Sequence, residues 1–237
     1  MGKIFDVDFL FSSFWVILTA LPTTLTITAA AFFFGLIIGF FSALARIYKT
    51  PVLRRIVGFY TSFIRGTPLL VQIYMAYYGV PLLLKALEAY YGWQIDISSI
   101  PAIYYVYVAY ALNTGAYLTE TIRGAIEAVD PGQFEAAQSI GMTGFQMYGR
   151  IILPQAFLVA LPNLGNTVIS LVKDTSLAFS VTVIEIIARS KITAARNLRF
   201  FEVFIDAAII YWISCLAIEF CVKQAEKYMK RRRGLET

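Results

Sequence analysis

Residues 9–45, FLFSSFWVILTALPTTLTITAAAFFFGLIIGFFSALA, contain not one ionisable side chain. A helix needs only about 20 apolar residues to cross a bilayer, so this stretch exceeds one span and identifies lipid as the solvent of the fold. Uncharged runs at 66–84, 97–119 and 151–172 repeat the signal, and a fifth apolar segment at 203–222 carries Asp206 and Glu219 near its ends. Of 237 residues, 59% are hydrophobic and 15% charged, with a mean hydropathy of +0.68. A soluble domain of this length seldom carries so much apolar surface. Backbone groups that face lipid must bond within their own segment, so helices are predicted rather than open strands. The expected fold class is an all-α polytopic membrane protein, one domain over 1–237 with its core at about 15–225.

Charge sets the expected orientation. Arg46, Lys49, Arg54 and Arg55 follow the first apolar run, and Lys223, Lys227, Lys230, Arg231, Arg232 and Arg233 follow the last. Such clusters hold loops on the cytoplasmic face. Five transmembrane helices, N-terminus outside and C-terminus cytoplasmic, satisfy both. The 81–100 loop with Lys85, Glu88 and Asp96 then falls outside, 123–150 inside, and the basic tail 223–237 inside. The first residues lack the basic stretch, short apolar core and small-residue site of a cleaved leader, so the first span is expected to stay. Residues 173–202 resist this scheme: it puts Lys173, Arg189, Lys191, Arg196 and Arg199 outside. A re-entrant helix around 177–187 and a sixth span both stay open. Pro68 disfavours helical geometry at Thr67, and Arg65 is costly at mid-membrane. A break is therefore predicted there, with Arg65 near the cytosolic interface or facing protein.

Composition also removes function classes. There is no histidine, and the two cysteines, Cys215 and Cys221, point in different directions on one helix. That leaves little material for a zinc, haem or iron–sulfur site and none for a disulfide between them. No metal and no cofactor is expected in this chain. The net charge of +5 sits largely beside the last span, which reads as contact with anionic membrane lipid and not with nucleic acid. A membrane enzyme would have only acids to use, at Glu120, Asp206 or Glu219.

Residues 135–154, EAAQSIGMTGFQMYGRIILP, form an amphipathic island between two apolar runs. Asp130, Pro131 and Gln133 make a helix start, with Asp as N-cap, Pro at the first position and Gln bonding back to the cap. The helix is predicted to run to about Ile140 and to stop at Gly141, which suits a left-handed turn. Thr143 and Gln146 repeat the capping pattern and open a second short helix, and the chain re-enters the membrane near Pro154. Two caps so close together specify a rigid elbow over 130–154.

Glu135-Ala136-Ala137, Gly141 six residues after the Glu, and Leu153-Pro154 resemble the EAA loop of ABC-importer permeases. Arg65-Gly66-Thr67-Pro68-Leu69-Leu70-Val71-Gln72, then Gly115-Ala116-Tyr117 with Glu120 and Arg123-Gly124, then Lys173-Asp174-Thr175-Ser176-Leu177 sharpen the likeness to the polar-amino-acid family. That family includes histidine, glutamine and arginine importers. The resemblance implies a type I ABC importer permease architecture in the bacterial cytoplasmic (inner) membrane, a homodimer or heterodimer of permeases on two copies of a cytosolic ABC ATPase. An extracytoplasmic amino-acid-binding protein would deliver the solute. The elbow would be the cytosolic coupling helix, with Glu135, Ala136, Ala137, Gly141, Leu153 and Pro154 as ATPase-coupling residues. No G-x-x-x-x-G-K-[ST] loop is present, so ATP and Mg²⁺ belong to the partner ATPase and this chain is not expected to be an enzyme.

For the solute, Asn113, Tyr117 and Glu120 recur at i, i+4, i+7, and Asn163, Asn166 and Ser170 at i, i+3, i+7, each set on one helical face. Amides offer both donors and acceptors, as an amino acid's carboxylate and ammonium require. These six are the candidate substrate-binding residues for a polar or basic amino acid. Two competing readings stay open: the amides bond helix to helix, and Glu120 pairs with Arg123. Lys173 and Asp174 read as a local pair or a gate, and Tyr104, Tyr105, Tyr107 and Tyr110 as an aromatic belt and span packing. The competing function is a secondary amino-acid transporter or channel working without an ATPase. It would need an ion-coupling acid, a filter or inverted repeats, none of which is found in the sequence.

Overall fold

The computed structural model describes residues 5–48, 51–92 and 96–232. Lys49, Arg233 and the rest of the basic tail beyond it lie outside the described residues. Among those described, the chain is helical throughout, with no strand. Asp6 caps α1 (Val7–Leu18), its carboxylate accepting from the Phe9 amide at 3.1 Å. α1 stops there because Pro22, near the start of α2 (Leu21–Ile47), would clash with the Leu18 carbonyl in a continuous helix. α3 (Pro51–Gly66) and α4 (Leu69–Tyr74) flank the predicted break, where Pro68 is extended at φ −62°, ψ 138°. Gln72 secures it: its amide donates to the Ile64 carbonyl at 2.8 Å and the Thr67 carbonyl at 3.1 Å, satisfying acceptors that α3 leaves unpaired.

The helix then passes through a π-turn (Met75–Gly79) into α5 (Val80–Tyr91), which Gly92 ends in the left-handed region at φ 70°. A second π-turn (Tyr148–Ile152) leads into α9 (Leu153–Asp174). Both wide turns sit just before a proline, Pro81 and Pro154, where a regular turn would drive the ring into the carbonyl four residues back. Lys85 and Glu88, expected in an open loop over 81–100, ride on α5 instead. Its apolar residues carry helical geometry one to two turns past the end of the uncharged run.

α6 (Ala102–Glu127) is the central element, buried along most of its length. α7 (Pro131–Ser139), α8 (Gly144–Met147), α10 (Ile186–Asn197) and α11 (Phe200–Arg232) complete the chain. α11 continues over 223–232 of the expected tail, with Lys223–Glu219 and Lys230–Glu226 ion pairs along its surface. Both cysteines are free. Of the two readings left open over 173–202, a helix around 177–187 gives way to a 3₁₀ turn (Thr175–Val181) followed by α10. Thr182 at φ 66° ends the turn, and Glu185 starts α10 by accepting from the Ala188 amide at 2.8 Å. Among the described residues, four segments are long and apolar enough to cross a membrane: Val7–Ile47, Leu69–Tyr91, Gly144–Val181 and Phe200–Arg231.

α2 lies tightly along α6. A Cβ at Gly35 would stand 2.7 Å from Thr114, and one at Gly39 2.7 Å from Leu118, the close approach that a small-xxx-small pair allows in lipid. Around this pair the core divides. Ala43, Leu118, Ile126, Ala137, Met147 and Ile152 form a cluster at the elbow end. Ile27, Ile73, Val106, Tyr110 and Leu171 fill a second. Ile17, Ile186, Val203 and Ile210 join α1, α10 and α11 in a third. Polar ties brace this last block: Ser13 donates to Asp206 at 2.6 Å, and Arg199 bridges Glu202 at 2.8 Å and Asp6 at 3.3 Å.

Candidate functional site

A cavity of about 540 Å³ opens between the Thr67–Pro68 break, α6 and α9. Asn113, Tyr117, Asn163, Asn166 and Ser170 line it together, so the two polar faces read from spacing meet across one space. Asn113 is set in place by Gln72, whose carbonyl oxygen accepts from the Asn113 amide at 2.9 Å. That bond uses one of the two N–H groups of the Asn113 amide. Thr67, Thr114, Thr121 and Thr167 add hydroxyls to the lining. Thr114 is buried, and its hydroxyl has no partner among the described residues. None of Tyr104, Tyr105, Tyr107 and Tyr110 belongs to the lining; Tyr105 and Tyr110 are buried in the core.

Glu120 is not on the wall. Its carboxylate accepts from Arg46 and from Arg123 at 2.8 and 3.1 Å, and Arg65 stands 3.9 Å away. The i, i+3 pair with Arg123 thus forms, but within a larger cluster that also ties Arg123 to Glu127 at 2.7 Å. Arg65 stays exposed but lies over Tyr117, its guanidinium 5.5 Å from the centre of the ring. Asp174, read from sequence only as a pair or gate with Lys173, lines the cavity as the one carboxylate among its lining residues. Its backbone carbonyl accepts from the Tyr110 hydroxyl at 2.5 Å, which anchors the end of α9. The signal for it was its i+4 position after Ser170, one more turn along the same face.

The elbow is built as its caps require. Asp130 accepts from the Gly132 amide at 2.7 Å, while Gln133, expected to bond back to the cap, instead accepts from Gln155 at 3.3 Å and ties α7 to α9. At the other end Met142 donates to the Ala137 carbonyl at 3.1 Å and Gly141 to that of Gln138 at 2.9 Å, with Gly141 at φ 73°. This double bond is the Schellman ending. Thr143 and Gln146 form a reciprocal capping box. Ala137 is buried against the elbow-end cluster, whereas Glu135 and Ala136 are exposed. Leu153 and Pro154 are half-buried at the start of α9. Beside Glu135 the elbow bares two apolar side chains missed in the sequence, Ile140 at 76% and Phe145 at 91% exposure.

The family model described as the binding-protein-dependent transport system inner membrane component matches residues 35–231. The chain belongs to this family. It is 42% identical over 208 residues to a probable amino-acid permease of Bacillus subtilis (strain 168), covering 88% of each chain. It is 41% identical over 234 residues to an L-cystine transport system permease of the same organism, covering 98% of this chain and 95% of the relative. The crystal structure of an amino-acid ABC transporter with histidines superposes at a TM-score of 0.81 with 31% identity, over 95% of this chain and 100% of that one. The chain is thus a permease subunit of an ABC importer, multi-pass in the bacterial inner membrane, and not itself an ATPase. This favours ATP-coupled import over a carrier working alone.

Proposed function

We propose that this permease carries a polar or basic amino acid through the cavity between α6 and α9, driven by an ATPase that grips the elbow. The observation that carries the reading is the meeting of Asn113, Tyr117, Asn163, Asn166 and Ser170 around one polar space inside an apolar chain. Polar groups at such depth are expensive unless they pair or line a cavity. Amides and hydroxyls suit the zwitterionic part of an amino acid, and Asp174 faces the same space to meet an ammonium group. Names among the relatives, L-cystine and histidines, agree with that class.

The domain spans 1–237 with five transmembrane helices, N-terminus outside and C-terminus cytoplasmic. α6 joins the four most apolar segments as the third span in chain order, its apolarity lowered by its tyrosines and Asn113 because protein rather than lipid covers it. The end of α2 that carries Arg46 meets the elbow, the Tyr48 ring lying 5.7 Å from that of Tyr148, as a shared cytosolic face requires. Two permeases, identical or similar, sit on two ATPase copies that hold ATP and Mg²⁺, and an extracytoplasmic binding protein delivers the solute. Glu135, Ala136, Gly141, Ile140 and Phe145 meet the ATPase, while Ala137, Leu153 and Pro154 hold the elbow to the spans. Closure of the ATPases rocks the elbows and switches access.

The test is uptake by proteoliposomes holding the complete importer with its binding protein. Asn163→Leu with Asn166→Leu should lower uptake about tenfold or more, since each bond lost to a desolvated solute costs about 1–3 kcal/mol. Assembly with the ATPase should persist. Wild-type uptake by this variant would move the solute route elsewhere.

A further inference from the structure

We infer that Glu120 is a positioning residue: it clamps Arg65 against Tyr117 and so couples the cavity wall to the elbow. The inference rests on the cavity being the solute route. Tyr117 lines that cavity, as do Thr67 and Pro68, which follow Arg65 by two and three residues. The Arg65 side chain spans the two walls, lying over the Tyr117 ring and within 3.9 Å of Glu120, one turn further along α6. Beyond Glu120 the same helix carries Arg123, paired to both Glu120 and Glu127, and then leads into α7 of the elbow. Cavity wall and charge cluster thus lie in sequence on α6, and residues 128–130 join that helix to the elbow. Arg46 at the end of α2 brings a third helix to the same carboxylate.

The charge count gives the clamp its direction. Three guanidinium groups, from Arg46, Arg65 and Arg123, converge on Glu120, and Glu127 reaches only Arg123. Without the Glu120 charge, Arg46 and Arg65 repel each other with no carboxylate between them. Arg65 is the member free to leave: its contact is the longest of the three, and its side chain is 46% exposed. Its departure removes the Arg65 contact with Tyr117 between α3 and α6, while Gln72 still ties Thr67 to Asn113 and α2 and α6 stay packed through Gly35 and Gly39. Glu120 therefore acts on the solute through Arg65 and Tyr117, not by touching it.

The measurement is ATP hydrolysis by the reconstituted importer, with and without solute-loaded binding protein. In Glu120→Gln, hydrolysis without binding protein should rise by up to about fivefold, the upper end of what the partly exposed Arg65 pair is worth, and stimulation by loaded binding protein should shrink to match. Arg65→Met, which leaves Glu120 paired to Arg46 and Arg123, should show the same loss of stimulation, and Glu120→Asp should restore part of it. Wild-type stimulation in both Glu120→Gln and Arg65→Met would overturn the inference. So would a change in preference between cationic and neutral amino acids with stimulation intact, since that marks Glu120 as a solute contact. Should Glu120→Gln fail to assemble, Arg65→Met alone decides. A wild-type chain that never associates with an ATPase refutes the functional reading instead.

Discussion

Replacing Gly35 and Gly39 together by alanine should cost the folded permease about 2–5 kcal/mol, from overpacking at two close contacts. For a chain of this length that lowers the midpoint of thermal unfolding in detergent by about 5–15 °C. The argument is steric. At Gly39 an added Cβ would stand 2.7 Å from the Leu118 Cβ and 3.1 Å from its backbone carbon, and at Gly35 it would meet Thr114 at 2.7 Å and the Gly115 amide at 3.2 Å. Backbone cannot step aside as the tip of a flexible side chain can, so α2 must lift from α6 along its length. Gly124 supplies the opposing case. It sits in α6 with nothing within 4 Å of an added Cβ, so Gly124→Ala should raise stability by up to about 1 kcal/mol through helix propensity alone. The same atom added at two kinds of glycine thus gives opposite signs. Equal melting of all three proteins would show that α2 and α6 are not held as described.

Those glycines mark what the sequence did and did not make legible. The uncharged runs announce helices because lipid permits little else, and Asp130, Gly141 and Thr143 announce the elbow because caps act within one turn. The break at Thr67 and Pro68 is equally local. Gly35 and Gly39, by contrast, carry no reading from the sequence, because nothing nearby says that α6 packs against them. Glu120 shows the limit of face reading. At about 100° per residue, it falls about 20° to one side of Asn113, whereas Thr114, Tyr117 and Thr121, which share the cavity, fall to the other. A few tens of degrees separate wall from seam, and the deciding arginine, Arg46, lies 74 residues away. Over 173–202 the obstacle is again distant: Glu185, which caps α10, also accepts from Tyr211 on α11 at 2.7 Å. Charge counting cannot see such a tie.

At the elbow, Glu135→Lys combined with Gly141→Trp should reduce association with the ATPase at least about tenfold, the loss expected when a central apolar contact and a charge are both spoiled. Two effects combine. Gly141 holds φ at 73°, where any other residue carries roughly 1–3 kcal/mol of strain, so the ending that turns the chain from α7 to α8 reopens. Ile140 and Phe145 then lose their fixed spacing, and the reversed charge at position 135 opposes whatever the carboxylate met. The spans should survive, because α7 and α8 send only Ala137 and Met147 fully into the elbow-end cluster. Gly92→Trp separates coupling from folding. Gly92 holds φ at 70° with nothing within 4 Å of an added Cβ, as at Gly141, but ends α5 away from the elbow. It imposes the same strain and the same bulk, and it should leave capture of the ATPase by the tagged permease unchanged. Loss of capture in both variants would mean that strain at any helix end unfolds the chain. Loss only with the elbow variant ties the ATPase to α7 and α8, and capture retained in both would place its grip on another part of the cytosolic face.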